Sequence, residues 1–81
     1  MQTKWMKWER QQEIRGWAAA IAHGKDVVAE ATVVRLRNRK ATYDIFGPDG
    51  IDIVASGEAR TVADAKKAAE YEMRCLVVRP A

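Results

Sequence analysis

The chain of 81 residues carries a formal net charge of +3, and a chain of this length folds as one small domain with a modest core. Hydrophobic residues at 48% and charged residues at 31% exclude a disordered chain. The excess of positive charge is also smaller than that of proteins that bind nucleic acid by net charge alone. The single cysteine, Cys75, excludes an internal disulfide and a cysteine-based zinc site.

No part of the sequence predicts a membrane segment. No apolar run approaches the ~18 residues of a membrane span, and the charged N-terminal stretch lacks the apolar centre of a signal peptide. We therefore predict a single cytoplasmic domain over residues 1–81 without membrane contact. Because the core of such a domain is small, self-association as a homodimer is one way to enlarge it.

Two tryptophans, Trp5 and Trp8, stand among charged residues near the start of the chain. They fit a covering strand or the first turns of a helix, and their size favours a place over the core in either case. The alternatives are a stacking platform for nucleic-acid bases and a contact surface for another protein.

Residues 9–23 fit both a helix and a strand. Ile14, Trp17 and Ile21 recur at helical spacing among good helix formers. Trp17, Ala19 and Ile21 also alternate as in a strand. Periodicity alone leaves the two interpretations open.

Three further segments predict strands. Val27 to Arg37 is dense in β-branched residues, and Thr42 to Phe46 and Ile51 to Ser56 follow it. The last two segments are joined by Gly47-Pro-Asp-Gly50, a strong turn signal because proline presets the backbone of the second turn position. We expect an antiparallel hairpin at this point.

The alternation around this hairpin predicts which of its residues face the core. Tyr43, Ile45, Ile51 and Ile53 can share one face of the two strands. We expect the C-terminal helix to cover that face.

The last third of the chain predicts a capped amphipathic helix over residues 61–76. Thr61 is a suitable N-cap, and Asp64 follows in the first turn, where a carboxylate favours the helix dipole. An apolar stripe runs along one side at helical spacing. Its members are Val62, Ala65, Ala68, Ala69, Met73 and Leu76. The elements together predict an α+β fold, an antiparallel β-sheet of three to five strands with a C-terminal α-helix packed on one face.

No arrangement of titratable residues predicts catalysis. His23 is the only histidine, and it has no second metal ligand at useful spacing. The glycines at positions 47 and 50 flank a proline and belong to a hairpin rather than to a phosphate-binding loop. We therefore expect a protein that is not an enzyme and that uses neither a cofactor nor a metal.

Basic residues provide the remaining candidate site, for a partner protein or for nucleic acid. They form two groups, one at the end of the first predicted hairpin and one near the start of the helix. The first group is Arg35, Arg37, Arg39 and Lys40, and the second is Arg60, Lys66 and Lys67. If the two groups converge, their charges could hold phosphates. A solvated surface without a partner is the alternative.

One stretch resembles the end of a double-stranded RNA-binding domain. Gly57 to Glu70 is similar to the segment of that family in which a strand closes on Ala-Ser-Gly and the helix opens with lysines. A helix over residues 9–23 would complete the α-β-β-β-α order of the family. The lysine cluster of the family is reduced to Lys66, and only one strand follows Gly47-Pro48 before the helix. The resemblance implies a nucleic-acid-binding module.

A broader set of motifs spans most of the chain, namely Trp5 or Trp8, Trp17 to Ile21, Pro48 to Gly50, Ala55 to Thr61, and Ala65 to Glu70. Together these motifs are similar to those of short phage and prophage proteins. The resemblance implies an antiparallel meander with one C-terminal helix, and it favours a strand over residues 17–22. It also implies an accessory viral protein, and several phage proteins of this size inhibit host defence complexes by binding them.

We therefore expect a non-enzymatic phage-type protein that binds, and in doing so inhibits, a host protein or nucleoprotein complex. A CRISPR effector is one such target, which would make the protein an anti-CRISPR inhibitor acting in the host cytoplasm. The alternative function is nucleic-acid binding by a module that resembles a double-stranded RNA-binding domain.

Overall fold

The computed structural model describes residues 3–78, and the side chains of all of these except residues 3, 6, 77 and 78. The described residues form one antiparallel sheet with the strand order β1-β2-β3-β4-β5, followed by one helix. The elements are β1 (Thr3–Gln11), a 3-10 turn (Gln12–Ile14), β2 (Gly16–His23), β3 (Asp26–Arg35), β4 (Ala41–Phe46), β5 (Ile53–Ala59) and α1 (Val62–Val78). The predicted α+β class is confirmed, with five strands in the sheet.

The strand interpretation of residues 17–22 is confirmed, and a helix over residues 9–23 is wrong. The chain leaves β1, makes the short 3-10 turn and returns through Arg15, which has a left-handed backbone with φ of 51°. Gly16 then begins β2 so close to β3 that an added Cβ would overlap the carbonyl oxygen of Val33. The α-β-β-β-α order is therefore not formed by the described residues.

The core lies between one face of the sheet and α1. Small residues dominate both surfaces, so the helix can lie close to the strands. The fully or nearly fully buried residues are Ala19 and Ile21 of β2, Ala29, Ala31 and Val33 of β3, Ala41 and Ile45 of β4, and Ala65, Ala69 and Met73 of α1. The predicted helical stripe is confirmed at its centre, where Ala65 and Ala69 are both 0% exposed.

The start of α1 is also as predicted. The hydroxyl of Thr61 accepts a hydrogen bond of 3.1 Å from the backbone N–H of Asp64, and its carbonyl accepts one of 3.0 Å from that of Ala65. The first contact satisfies one of the first-turn N–H groups that lack partners within a helix, and the second is the first backbone hydrogen bond of the helix itself. The helix therefore begins immediately after the sheet ends.

The predicted third strand and its buried isoleucines require correction. We expected a strand from Ile51 to Ser56, whereas β5 begins at Ile53 and ends at Ala59. Ile51 is 78% exposed and Ile53 56% exposed, so neither lies under the helix. Tyr43 and Ile45 do pack in the core, as expected.

One cause of this difference is the side chain of Asp49. Its carboxylate accepts hydrogen bonds from the backbone N–H groups of Ile51 and Asp52, at 3.0 and 3.1 Å, which holds both residues in the turn. The hydrogen bonds from Ile51 and Asp52 keep the pKa of Asp49 below its ordinary value. A hydrogen bond with Asp49, together with its negative charge, raises the pKa of Asp52.

The second cause is a change of register between β4 and β5. Ile45 pairs with Ala55, but Phe46 pairs with Ile53, so Val54 is an extra residue without a partner of its own. Because side chains alternate between the two faces of a strand, one extra residue reverses the faces of all residues before it. Ile53 therefore points away from the helix, while the small residues after the extra residue pair with the core positions of β4.

The helix covers only part of its face of the sheet. It packs mainly on β3, β4 and β5, and tryptophans pack beside it on the β1 and β2 side. Trp5 and Trp8 are half-buried in an edge-to-face arrangement, with ring centroids 6.3 Å apart and ring planes at 74°. The expectation that these two residues lie over the core is confirmed.

The helix packing gives a stability prediction. Ala69→Leu should lower the free energy of unfolding by about 1–3 kcal/mol, because a larger side chain at this closed contact must push α1 from the sheet. Ala63→Leu is the matched control, since Ala63 lies in the same helix but is exposed. Chemical denaturation of both variants measures the difference. Equal losses at the two positions would contradict the observed helix face.

Candidate functional site

The two predicted groups of basic residues meet at one end of the sheet. Arg35 at the end of β3 pairs with Ala41 at the start of β4, and Ala41 pairs with Ala59 at the end of β5. The β3–β4 turn and the link from β5 to α1 therefore lie side by side. This end of the molecule is the candidate site.

The β3–β4 turn is held by its own hydrogen bonds. The backbone N–H of Leu36 donates to the carbonyl of Lys40 at 2.8 Å, and the N–H of Lys40 donates to the side chain of Asn38 at 3.2 Å. Arg39 within the turn has a left-handed backbone, with φ of 69°. This conformation is strained for a residue with a side chain, so the turn holds Arg39 in place at a cost in stability.

A cleft of about 420 Å³ lies between this turn and the start of the helix. Its walls are formed by Trp17, Arg35 and Arg39 on the sheet side and by residues 61–63 on the helix side. Both of the charged residues that line it are arginines. The cleft therefore combines an aromatic wall with two guanidinium groups that can bind carboxylates or phosphates.

Two further cations lie against the tryptophans beside the cleft. The ammonium nitrogen of Lys66 is 4.6 Å from the ring centroid of Trp17 and 5.9 Å from that of Trp8. The guanidinium carbon of Arg10 is 5.9 Å from the ring centroid of Trp17. These distances are within the range of cation–π attraction, so the rings favour both cations at this end of the sheet.

We define the basic-aromatic surface as Arg10, Trp17, Arg35, Arg39 and Lys66. Sequence reasoning identified the last three and missed the first two as parts of one site. The signal that could have found them is the pairing of β1 with β2, which places Arg10 directly opposite Trp17. That pairing depends on the turn before Gly16, for which the sequence gives no strong signal.

The other predicted basic residues lie outside the cleft. Arg37 and Arg60 are exposed at the same end of the molecule, and Lys67 is exposed on α1. Lys40 forms an ion pair of 3.4 Å with Glu58, in which both side chains are 51% exposed. Such an exposed pair contributes at most about 1 kcal/mol, but it offsets the charge of Lys40.

The face of the sheet opposite α1 carries a different groove. Its volume is about 580 Å³, and Ala18, Ala20 and Thr32 are among the residues that line it. Its charged residues are of both signs, Lys4 and Lys7 with Glu9 and Glu30. Of the two, only the cleft is lined by positive charges without a carboxylate among its lining residues.

No protein-family model, curated protein or solved structure matches this chain. Over residues 3–78, no helix is long and apolar enough to cross a membrane. In the same range, no three histidine, cysteine, aspartate or glutamate residues lie together in a way that could hold a metal ion. Cys75 is a free thiol and is half-buried.

The strained residue of the turn gives a second stability prediction. Arg39→Gly should raise the free energy of unfolding by about 1 kcal/mol, because glycine adopts the left-handed conformation without a steric penalty. Arg37→Gly is the control in the same turn, and it should lower stability slightly since Arg37 lacks a positive φ. Urea denaturation distinguishes the two variants. A loss of stability in Arg39→Gly would show that the arginine side chain supports the fold.

Proposed function

We propose that the protein is a non-enzymatic phage-type accessory protein that binds a host protein or nucleoprotein complex and thereby inhibits it. The target would be a defence complex such as a CRISPR effector, in the cytoplasm of the host cell. The observation that carries this proposal is the convergence of Arg35, Arg39 and Lys66 around one cleft. The antiparallel meander with one C-terminal helix also supports it, because the phage resemblance implies that architecture.

The residue types at the cleft are those that anchor contacts between macromolecules. Arginine and tryptophan are enriched among the residues that contribute most to binding energy at protein interfaces. The planar guanidinium group binds a carboxylate through two parallel hydrogen bonds, which adds geometric specificity. Trp17 and Arg35 therefore suit a contact with an acidic protein surface.

The backbone of these residues is held in place before any partner binds. Arg35 lies in a paired strand, and Arg39 lies within the hydrogen-bonded β3–β4 turn. Lys66 is half-buried over the rings of Trp8 and Trp17. A site whose backbone is already held in place loses less conformational entropy on binding, which increases affinity.

The charge of the cleft is not balanced by the residues that line it. Its charged lining residues are Arg35 and Arg39, whereas Lys40 outside the cleft is paired with Glu58. An uncompensated positive cleft attracts acidic partners and increases their association rate. Acidic side chains or the phosphates of a nucleoprotein complex both have the required charge.

A charge-matched pair of variants tests the proposal. The wild-type protein should protect a phage in a host with an active CRISPR system. The double substitution Arg35→Ser and Arg39→Ser should abolish this protection, so that the number of plaques falls at least about tenfold. The control is Lys25→Ser with Arg74→Ser, which removes the same charge from exposed positions away from the cleft. Circular dichroism should show that both variants are folded. Full protection by the cleft variant, or none by the wild type, would contradict the proposal.

A second candidate function is the binding of nucleic acid. The observation that favours it is the placement of Lys66 and Arg10 against Trp17, since basic grooves with aromatic side chains bind single strands. The resemblance of residues 57–70 to a double-stranded RNA-binding domain also favours it. Against it stands the strand over residues 16–23, where that family has its first helix.

A gel-shift titration at two salt concentrations separates the two candidates. On the primary proposal, the wild type should not shift duplex RNA, duplex DNA or single strands at sub-micromolar concentration. If phosphates are bound instead, the cleft variant should lose affinity for every base sequence, and the salt slope should fall by about one for each lost contact. A sub-micromolar shift that is lost in the cleft variant would replace the primary proposal by nucleic-acid binding.

A further inference from the structure

The β4–β5 turn lies at the opposite end of the sheet from the cleft. Phe46 ends β4 and Ile53 begins β5, so residues 47–52 connect the two strands at this end. The cleft lies beyond Ala41, at the other end of β4. The six residues of that strand span about 20 Å. One copy of the chain therefore cannot place this turn in its own cleft.

Two carboxylates of this turn lie next to each other. A hydrogen bond with Asp49 and its negative charge raise the pKa of Asp52, because two ionised carboxylates repel each other. Glu30 of β3 adds a third carboxylate, since its Oε2 lies 3.8 Å from the position that a Cβ on Gly50 would occupy. Among the described residues, no lysine or arginine forms an ion pair with any of the three. We call residues 47–52 the acidic turn, and a cation placed against it would reduce this repulsion.

The acidic turn also presents an apolar side chain. Ile51 is 78% exposed, more than any other large apolar side chain that the structure describes. The backbone around it is ordered, since the N–H of Gly47 donates to the carbonyl of Asp52 at 3.1 Å and the N–H of Gly50 donates to the carbonyl of Gly47 at 3.0 Å. A segment that is already ordered loses little backbone entropy when it binds, and burial of its isoleucine removes apolar surface from water.

The cleft and the acidic turn are complementary in chemistry. The cleft offers two guanidinium groups beside the apolar surfaces of Trp17 and Val62, and the turn offers carboxylates beside an exposed isoleucine. Guanidinium and carboxylate groups pair through parallel hydrogen bonds. The neighbouring β2–β3 turn carries Lys25 and Asp26, whose charges cancel. The cleft volume of about 420 Å³ lies within the roughly 300–1,000 Å³ of pockets that enclose a small ligand, which leaves room for the side chains of a turn.

We propose that the acidic turn of one copy docks into the cleft of a second copy. Its isoleucine packs against Trp17 of the partner subunit, and its carboxylates pair with the two arginines of that cleft. Because the turn and the cleft lie at opposite ends of the sheet, the contact is head-to-tail. Such a contact continues from copy to copy and gives a ring if the ends meet, and a filament if they do not.

This contact regulates the cleft, and in that respect the inference rests on the proposed function. The host target and the acidic turn need the same two arginines, so each excludes the other from the cleft. By mass action, the clefts are filled at high protein concentration and open at low concentration. Removal of the turn's contact groups should therefore free the cleft without damaging it.

Two variants that are each defective on one side of the contact test the proposal by complementation. The cleft variant is Arg35→Ser with Arg39→Ser. The turn variant is Ile51→Ser with Asp52→Asn, which keeps Asp49 because its carboxylate holds the turn. In analytical ultracentrifugation, the mean mass of the wild type should rise with concentration, and each variant alone should stay monomeric. An equimolar mixture should form a dimer and nothing larger, since one variant supplies the intact cleft and the other the intact turn.

The control is Glu13→Gln with Tyr71→Ser, which removes one carboxylate and one exposed aromatic ring away from the acidic turn. It should assemble like the wild type, and circular dichroism should show that all variants are folded. A wild type that stays monomeric up to about 1 mM has a dissociation constant above that value, which would overturn the proposal. A mixture of folded variants that stays monomeric or grows beyond the dimer would overturn it as well, and so would a variant that assembles alone.

Phage protection separates this inference from the proposed function. The turn variant has an intact cleft, so it should protect the phage at least as well as the wild type, and loss of protection would overturn the regulation. A wild type that assembles but gives no protection would contradict the proposed function alone. A wild type that never assembles, with protection that is lost in the cleft variant, would contradict the head-to-tail contact alone.

Discussion

The close approach of α1 to the sheet is the contact on which the rest of the structure depends. Ala65 and Ala69 on the helix and Ala31 and Ala41 on the sheet are all 0% exposed, so the two surfaces meet through side chains of one carbon. This contact places the helix over the second half of the meander and fixes where its first turn lies. The β3–β4 turn lies at the same end of the sheet as the first turn of α1. The cations of the turn and those of the helix therefore meet at that end.

The same packing leaves the β2 side of the face to be covered by large side chains. Trp8 and Trp17 take that place, and both remain half-exposed. Their rings contact Lys66 and Arg10, so residues that complete the core also build the basic-aromatic surface.

Trp8 Nε1 is buried without a hydrogen-bond partner among the described residues. An unpaired buried donor costs about 1–3 kcal/mol, which the large apolar area of the ring can offset.

Features that depend on local sequence could be predicted, and features that depend on pairing could not. The Thr61 cap and the alanine stripe follow from neighbours within one or two helical turns. The exposure of Ile53 follows from an extra residue in β5, which leaves the apolar alternation of the sequence unchanged. That of Ile51 is an exception, since it follows from a local hydrogen bond to Asp49 that the apolar alternation hides. The contact of Arg10 with Trp17 likewise required the register of two strands. The cations of the hairpin were therefore found, whereas the aromatic part of the site was not.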